Sequence, residues 1–114
     1  MDLLFVYGSL RSAFDNPHAR RLRAEAECMG EGRIAGAIYL VDWYPGYRRG
    51  LAGEVTGEVY RVGDATLAAL DEYEGTEYNR VSVEVGGIGR AWVYEFAGEV
   101  SGMARIESGD FLSR

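Results

Sequence analysis

Leu3-Leu4-Phe5-Val6-Tyr7 is an unbroken apolar and aromatic run that stops at Gly8-Ser9. A run this short, with no polar alternation, reads as a β-strand buried on both faces. The other elements must be arranged around such a strand. Glycine permits a sharp turn and the close approach of another group. The loop after the strand therefore lies at the edge of the core, with N–H groups free to point at a ligand. Small loops of this kind hold carboxylates and oxyanions. The competing reading is an ordinary strand-to-turn exit, because Gly-Ser turns are common.

The rest of the chain supplies elements to flank that strand. Ser12 to Pro17 is a polar connector, with Asn16 as cap and Pro17 in the first turn of a helix. His18 to Ala26 reads as a short basic helix anchored by Leu22. Cys28 to Gly32 reads as a turn, and Arg33 to Trp43 as a strand interrupted at Gly36. Trp43 to Gly53 reads as an aromatic-rich loop. Glu54 to Val62 is a strand. Asp64 is the expected cap of a helix over Ala65 to Tyr73, with Leu67 and Leu70 on one face and Gly75 as its stop. Arg80 to Val85 alternates as a half-buried strand, and Arg90 to Phe96 returns from it across Gly86, Gly87 and Gly89. Residues 98–114 form a polar tail in which Ile106, Phe111 and Leu112 are the candidates to pack back. Hairpins mixed with two helices indicate an α+β domain. A mixed sheet curled toward a small barrel would bury most of its strands.

The 114 residues suit one domain, residues 1–114. With 47% hydrophobic residues that domain can bury a core without metal or disulfide. A net charge of −6 repels phosphate backbones, so nucleic-acid binding is not expected. No apolar stretch approaches membrane-spanning length, and Met1-Asp2-Leu3 lacks the basic start of a signal peptide. A cytoplasmic location is the expectation.

His18 is the only histidine and Cys28 the only cysteine, so neither a disulfide nor a cysteine-rich metal site is expected. No motif pairs His18 with Ser9 or Ser12 for serine–histidine catalysis, and a polar surface histidine is expected. Gly8-Ser9 lacks the glycines and lysine of a phosphate loop.

The carboxylates say more. Asp71, Glu72 and Glu74 crowd a helix C-terminus, where the partial negative charge disfavours acids. Solvated acids are the plain reading for Asp71 and Glu72. Glu74 sits at the cap, after Leu70 and Tyr73 and before Tyr78. Turned inward, its pKa would be raised by burial and by the helix end, and such a carboxylate suits a general base near neutral pH. Tyr7, Tyr78 and Tyr94, from eight tyrosines, fall at strand ends or beside turns. Tyrosines there can line a pocket with carbon and offer hydroxyls at its rim, though each taken alone reads as a core aromatic before a site residue.

Four segments together resemble the gamma-glutamylcyclotransferase-like family. They are Phe5-Val6-Tyr7-Gly8-Ser9-Leu10-Arg11, Gly57-Glu58-Val59-Tyr60, Leu70 to Arg80 through Asp71-Glu72-Tyr73-Glu74-Gly75, and Ala91-Trp92-Val93-Tyr94. The tail Ile106-Glu107-Ser108-Gly109-Asp110-Phe111 resembles the ending of small bacterial members. The resemblance implies a small mixed barrel with a cavity at one end. It implies that Tyr7, Gly8, Ser9 and Leu10 grip the glutamyl end of a small γ-glutamyl substrate, that Glu74 is the catalytic acid/base, and that Tyr78 and Tyr94 are pocket aromatics. It implies cyclisation of a γ-glutamyl amine or amino acid to 5-oxoproline, with no cofactor. Competing readings are a non-catalytic binding module on the same fold, γ-glutamyl hydrolysis or acyl transfer, and an interaction protein using the Trp43 to Tyr47 aromatics. Neither the leaving group nor the oligomeric state is encoded in a readable spacing.

Overall fold

The structure is a computed structural model and describes residues 2–113. The opening run forms β1 (Asp2–Val6), flanked by β5 (Glu54–Val62) on one side and β7 (Gly89–Phe96) on the other. The β5 pairing is antiparallel, with Leu4 opposite Tyr60. The β7 pairing is parallel and registers at Leu4 and Trp92. Burial on both faces follows from this central position. Phe5 and Tyr7 enter one apolar cluster with Ile38, Tyr47, Val59 and Val93. Leu4 and Val6 point the other way, into a second cluster with Leu22, Leu67 and Leu70.

The remaining strands are β2 (Glu27–Ala35), β3 (Ala37–Leu40), β4 (Pro45–Arg48) and β6 (Tyr78–Val85). The sheet runs β2-β5-β1-β7-β4-β3, with β6 also paired to β7. Gly86 N donates to Arg33 O at 3.2 Å, bringing the end of β6 back to β2. The mixed sheet is thus curled into a partial barrel around the first cluster, as expected for an α+β fold of this kind.

Two helices cover the opposite face of β1. In α1 (Pro17–Glu25) the Asn16 side chain accepts from Ala19 N at 2.8 Å, with Pro17 at the first position. In α2 (Asp64–Glu74) the buried positions are Thr66, Leu67 and Leu70. Thr66 Oγ1 donates to Glu25 Oε1 at 2.7 Å, tying the helices together.

Several local expectations are corrected. Cys28 to Gly32 is not a turn but the bulged first half of β2, held by its ladder to β5. The supposed loop from Trp43 contains β4, whose antiparallel partner is β3. Gly63, not Asp64, is the cap of α2, and Asp64 is its first residue. In the tail, Ile106 and Phe111 pack back as expected, whereas Leu112, in the same 3₁₀ turn as Phe111, is 44% exposed.

Candidate active site

The exit from β1 and the end of α2 meet across one cavity of about 160 Å³. Its lining includes all the residues singled out from the sequence: Tyr7, Gly8, Ser9, Leu10, Glu74, Tyr78 and Tyr94. Phe5, Val6, Trp43, Tyr44, Pro45, Tyr73 and Glu77 complete the wall. Of these, Trp43, Tyr44 and Pro45 come from the aromatic-rich stretch, whose composition was the available signal. Glu77 gave none, because acids cluster throughout this region.

The loop after β1 is shaped from its own backbone and from α1. Arg11 N donates to Gly8 O at 3.0 Å and closes a turn. The Asn16 amide that caps α1 also donates to Ser9 O at 2.7 Å. No acceptor among the described residues takes the amides of Gly8, Ser9 or Leu10. All three residues line the cavity. A Cβ on Gly8 would stand 2.9 Å from Pro45 Cγ, so a side chain there would push the loop off its wall.

Glu74 is the last residue of α2. Gly75 follows with φ 63°, a left-handed conformation that ends the helix, and its N–H donates to Asp71 O. A 3₁₀ turn over Gly75–Glu77 then leads into β6. Glu74 is half-buried and receives no hydrogen bond from the described residues. Burial raises its pKa from 4.5 to about 7, and the Glu77 carboxylate adds to the effect. Glu77 itself accepts the Tyr44 hydroxyl at 3.1 Å on each oxygen. In Glu77→Gln the Glu74 carboxyl is therefore expected to titrate at lower pH than in the unsubstituted protein. It should still titrate above 4.5, because burial is the larger cause. Carboxyl ¹³C shifts followed against pH check this.

The pocket tyrosines differ from expectation in one respect. Their rings line the cavity, but their hydroxyl protons are committed within the protein. Tyr7 donates to Tyr94 O at 2.6 Å and accepts from Tyr47 N at 3.0 Å. Tyr78 donates to Pro45 O at 2.8 Å. Tyr94 donates to Asp71 Oδ1 at 2.7 Å. Burial pushes all three phenols well above their ordinary pKa, so they stay protonated. Asp71, expected to be simply solvated, instead receives both Tyr94 and a forked Arg80 guanidinium at 2.8 and 3.1 Å. His18 is not a free surface histidine either: its ring stacks on Tyr73 at the cavity rim, centroids 3.7 Å apart. Among the described residues no group of three His, Cys, Asp or Glu side chains is placed to hold a metal ion. No helix among them is long and apolar enough to cross a membrane.

Comparison with known proteins places this geometry in context. The family described as gamma-glutamyl cyclotransferase, AIG2-like, matches residues 4–113. The gamma-glutamylcyclotransferase family protein YtfP of Escherichia coli K12 is 41% identical, over 97% of this chain and 96% of its own. The solution structure of ytfP from Escherichia coli superimposes with a TM-score of 0.77 at 39% identity, covering 98% of this chain and 97% of that one. The crystal structure of an uncharacterized Pyrococcus horikoshii protein reaches a TM-score of 0.82 at 32% identity, covering 97% and 90%. The match runs almost end to end, through the β1 exit loop and the close of α2 alike, and the chain belongs to the gamma-glutamyl cyclotransferase, AIG2-like family.

Proposed function

We propose that the cavity cyclises the glutamyl group of a γ-glutamyl amine to 5-oxoproline and releases the amine, with Glu74 as the proton carrier. The observation that carries this reading is the pairing of two uncommitted groups in one cavity. One is a half-buried carboxyl with a pKa of about 7. The other is the set of free amides at Gly8, Ser9 and Leu10.

Glu74 takes a proton from the substrate's α-ammonium. The freed α-amine attacks the γ-carbonyl carbon, and a five-membered ring closes through a tetrahedral oxyanion. Glu74 returns its proton to the leaving nitrogen as the C–N bond breaks. It then takes the second proton from the new ring nitrogen, and the departing amine gains a proton to leave as an ammonium. Two protons thus pass from the attacking to the leaving nitrogen, and no external nucleophile or cofactor is required. A carboxyl with a pKa near 7 suits a group that must both accept and donate. Holding the chain folded for attack supplies several kcal/mol by proximity. The loop amides suit the substrate's α-carboxylate.

The leaving-group side favours an amine over an amino acid. Among the described residues the cavity wall carries Glu74 and Glu77 but no Lys, Arg or His. The remaining wall is aromatic, through Trp43, Tyr44 and Tyr73. A leaving group ending in a carboxylate would meet like charge at this wall. A panel of γ-glutamyl alkylamines, γ-glutamyl amino acids and glutathione, analysed for 5-oxoproline by mass spectrometry, tests the reading. Ring product is expected, with the alkylamines turned over most efficiently. Free glutamate instead of 5-oxoproline would mean hydrolysis, and binding without any product would mean a binding module.

A further inference from the structure

We propose that Asp110, in the C-terminal tail, is a positioning residue that acts through Arg11 on the Gly8–Leu10 loop. This rests on the reading above for what the loop holds, but the clamp itself is a matter of geometry. No described residue beyond Tyr94 lines the cavity. The tail nevertheless reaches the loop from behind. Arg11 closes the Gly8 turn and is only 4% exposed. Its Nη1 donates to Asp110 Oδ1 at 2.8 Å, while its Nε reaches Glu58 Oε2 only at 3.4 Å.

Glu58 holds Arg11 only through that longer contact, and its oxygens also serve the loop's far end. They accept Ser12 N at 2.8 Å and Ser12 Oγ at 3.1 Å. Asp110 is therefore the closer of two carboxylate partners of a buried guanidinium, and without it Arg11 is held by the longer Glu58 contact alone, a costly loss for a buried charge. Arg11 belongs to the turn it closes, so a shift of Arg11 carries residues that line the cavity.

The tail is fixed firmly enough to act as an anchor. Thr56 N donates to Gly109 O at 2.8 Å, joining the tail to β5. Gly109 has φ 71°, and a Cβ there would fall 2.0 Å from Glu54 O, so only glycine permits this approach. Phe111 is buried and stacks on Phe14, in the segment between the loop and α1, at 5.9 Å. Asp110 Oδ1 also accepts Leu112 N at 3.0 Å, which fixes the carboxyl itself.

If the loop amides hold the α-carboxylate, they bind ground state and transition state alike, so loosening the clamp raises KM and spares kcat. In Asp110→Asn, KM is expected to rise about tenfold or more, since small misplacements of a binding group carry penalties of up to about 100-fold. The pH midpoint of kcat/KM, set by Glu74, should stay in place. Amide hydrogen exchange at Gly8, Ser9 and Leu10, read by NMR on the full chain, should accelerate. Arg11→Lys keeps the charge but loses the planar fork, and serves as a second variant if Asp110→Asn folds poorly. Its expected changes have the same sign. Ile106→Val, on the same tail, lowers the melting temperature without touching Arg11 and should leave KM unchanged.

Unchanged KM and unchanged loop exchange in Asp110→Asn would overturn the proposal. So would an equal rise in KM for Ile106→Val. If the unsubstituted protein forms no 5-oxoproline from any γ-glutamyl compound, the functional reading fails. The exchange rates at Gly8 to Leu10 then decide the clamp alone.

Discussion

In Glu74→Gln, 5-oxoproline formation is expected to fall by about two to four orders of magnitude, the usual range for a lost general acid/base. The amide is nearly isosteric, so the cavity wall keeps its shape. What disappears is the ability to accept a proton from the α-ammonium and hand it on. In the unsubstituted protein kcat/KM should rise with pH through about 7, as Glu74 loses its proton. In the variant that limb should vanish. Stability is expected to change in the opposite sense. The folded-state pKa of Glu74 is raised, so the folded chain binds more protons than the unfolded one between about 4.5 and 7. Its stability therefore declines as pH rises through that window and stays lower above it. Gln carries no charge to desolvate, so at pH 8 the variant should melt at or above the temperature of the unsubstituted protein. Kinetics and thermal melting across pH 5 to 9 check both halves. Near-normal turnover in a folded variant would remove Glu74 from the chemistry.

The gain in stability and the loss of activity would share one origin. An ionisable group held in a poorly hydrated cavity is costly to the fold, and it is kept where its altered proton affinity is useful. That reasoning separates Glu74 from Asp71, which lies one helical turn earlier. Asp71 is neutralised by Arg80 and occupied by Tyr94. Glu74 has no such partner among the described residues.

Elements whose signals are local were the legible ones. The Leu3 to Tyr7 run, the Glu54 to Val62 strand and the glycine stop at Gly75 each carry their evidence within a few neighbouring residues. Cys28 to Gly32 looked like a turn because Gly30 and Gly32 weaken any strand pattern. The backbone ladder to β5 decides otherwise, and no window of sequence contains both strands. Pro45-Gly46 argued for a loop. Proline is tolerated there because it opens β4, and Gly46 lies against Phe96 Cβ, where any larger residue would collide. Within the site, Glu74 was visible from its place at a helix end, and the family resemblance singled out the Gly8–Leu10 loop. The burial of Arg11 was not visible. An arginine after a turn reads as surface, and its partners Glu58 and Asp110 lie 47 and 99 residues away. The same distance in sequence hid the commitment of the tyrosine hydroxyls. Aromatic residues at strand ends could be named as pocket wall, but where each proton goes depends on tertiary contacts.

The second large effect is expected from Tyr7→Phe, which removes one oxygen atom. That oxygen donates to Tyr94 O in β7 and accepts from Tyr47 N in β4. The two strands run parallel and register at Tyr47 and Glu95 alone. The tyrosine hydroxyl thus adds a bridge between them beside that single ladder pair. Phenylalanine fills the same space with carbon and leaves a buried N–H and a buried carbonyl without partners. Each such orphan costs about 1–3 kcal/mol, so the sum is roughly 3 kcal/mol or more. That is a large share of a stability of order 5–15 kcal/mol, and corresponds to a fall in melting temperature on the order of 10 °C. The site should suffer with the fold. β4 begins at Pro45, whose ring lies against Gly8 and whose carbonyl holds the Tyr78 hydroxyl. A β4 loosened from β7 therefore releases one wall of the cavity. Circular dichroism melting measures the first effect, and kcat/KM at a temperature where the variant is fully folded measures the second. A melting temperature unchanged from that of the unsubstituted protein would mean that water reaches both orphans, and that the strands are held by apolar packing alone.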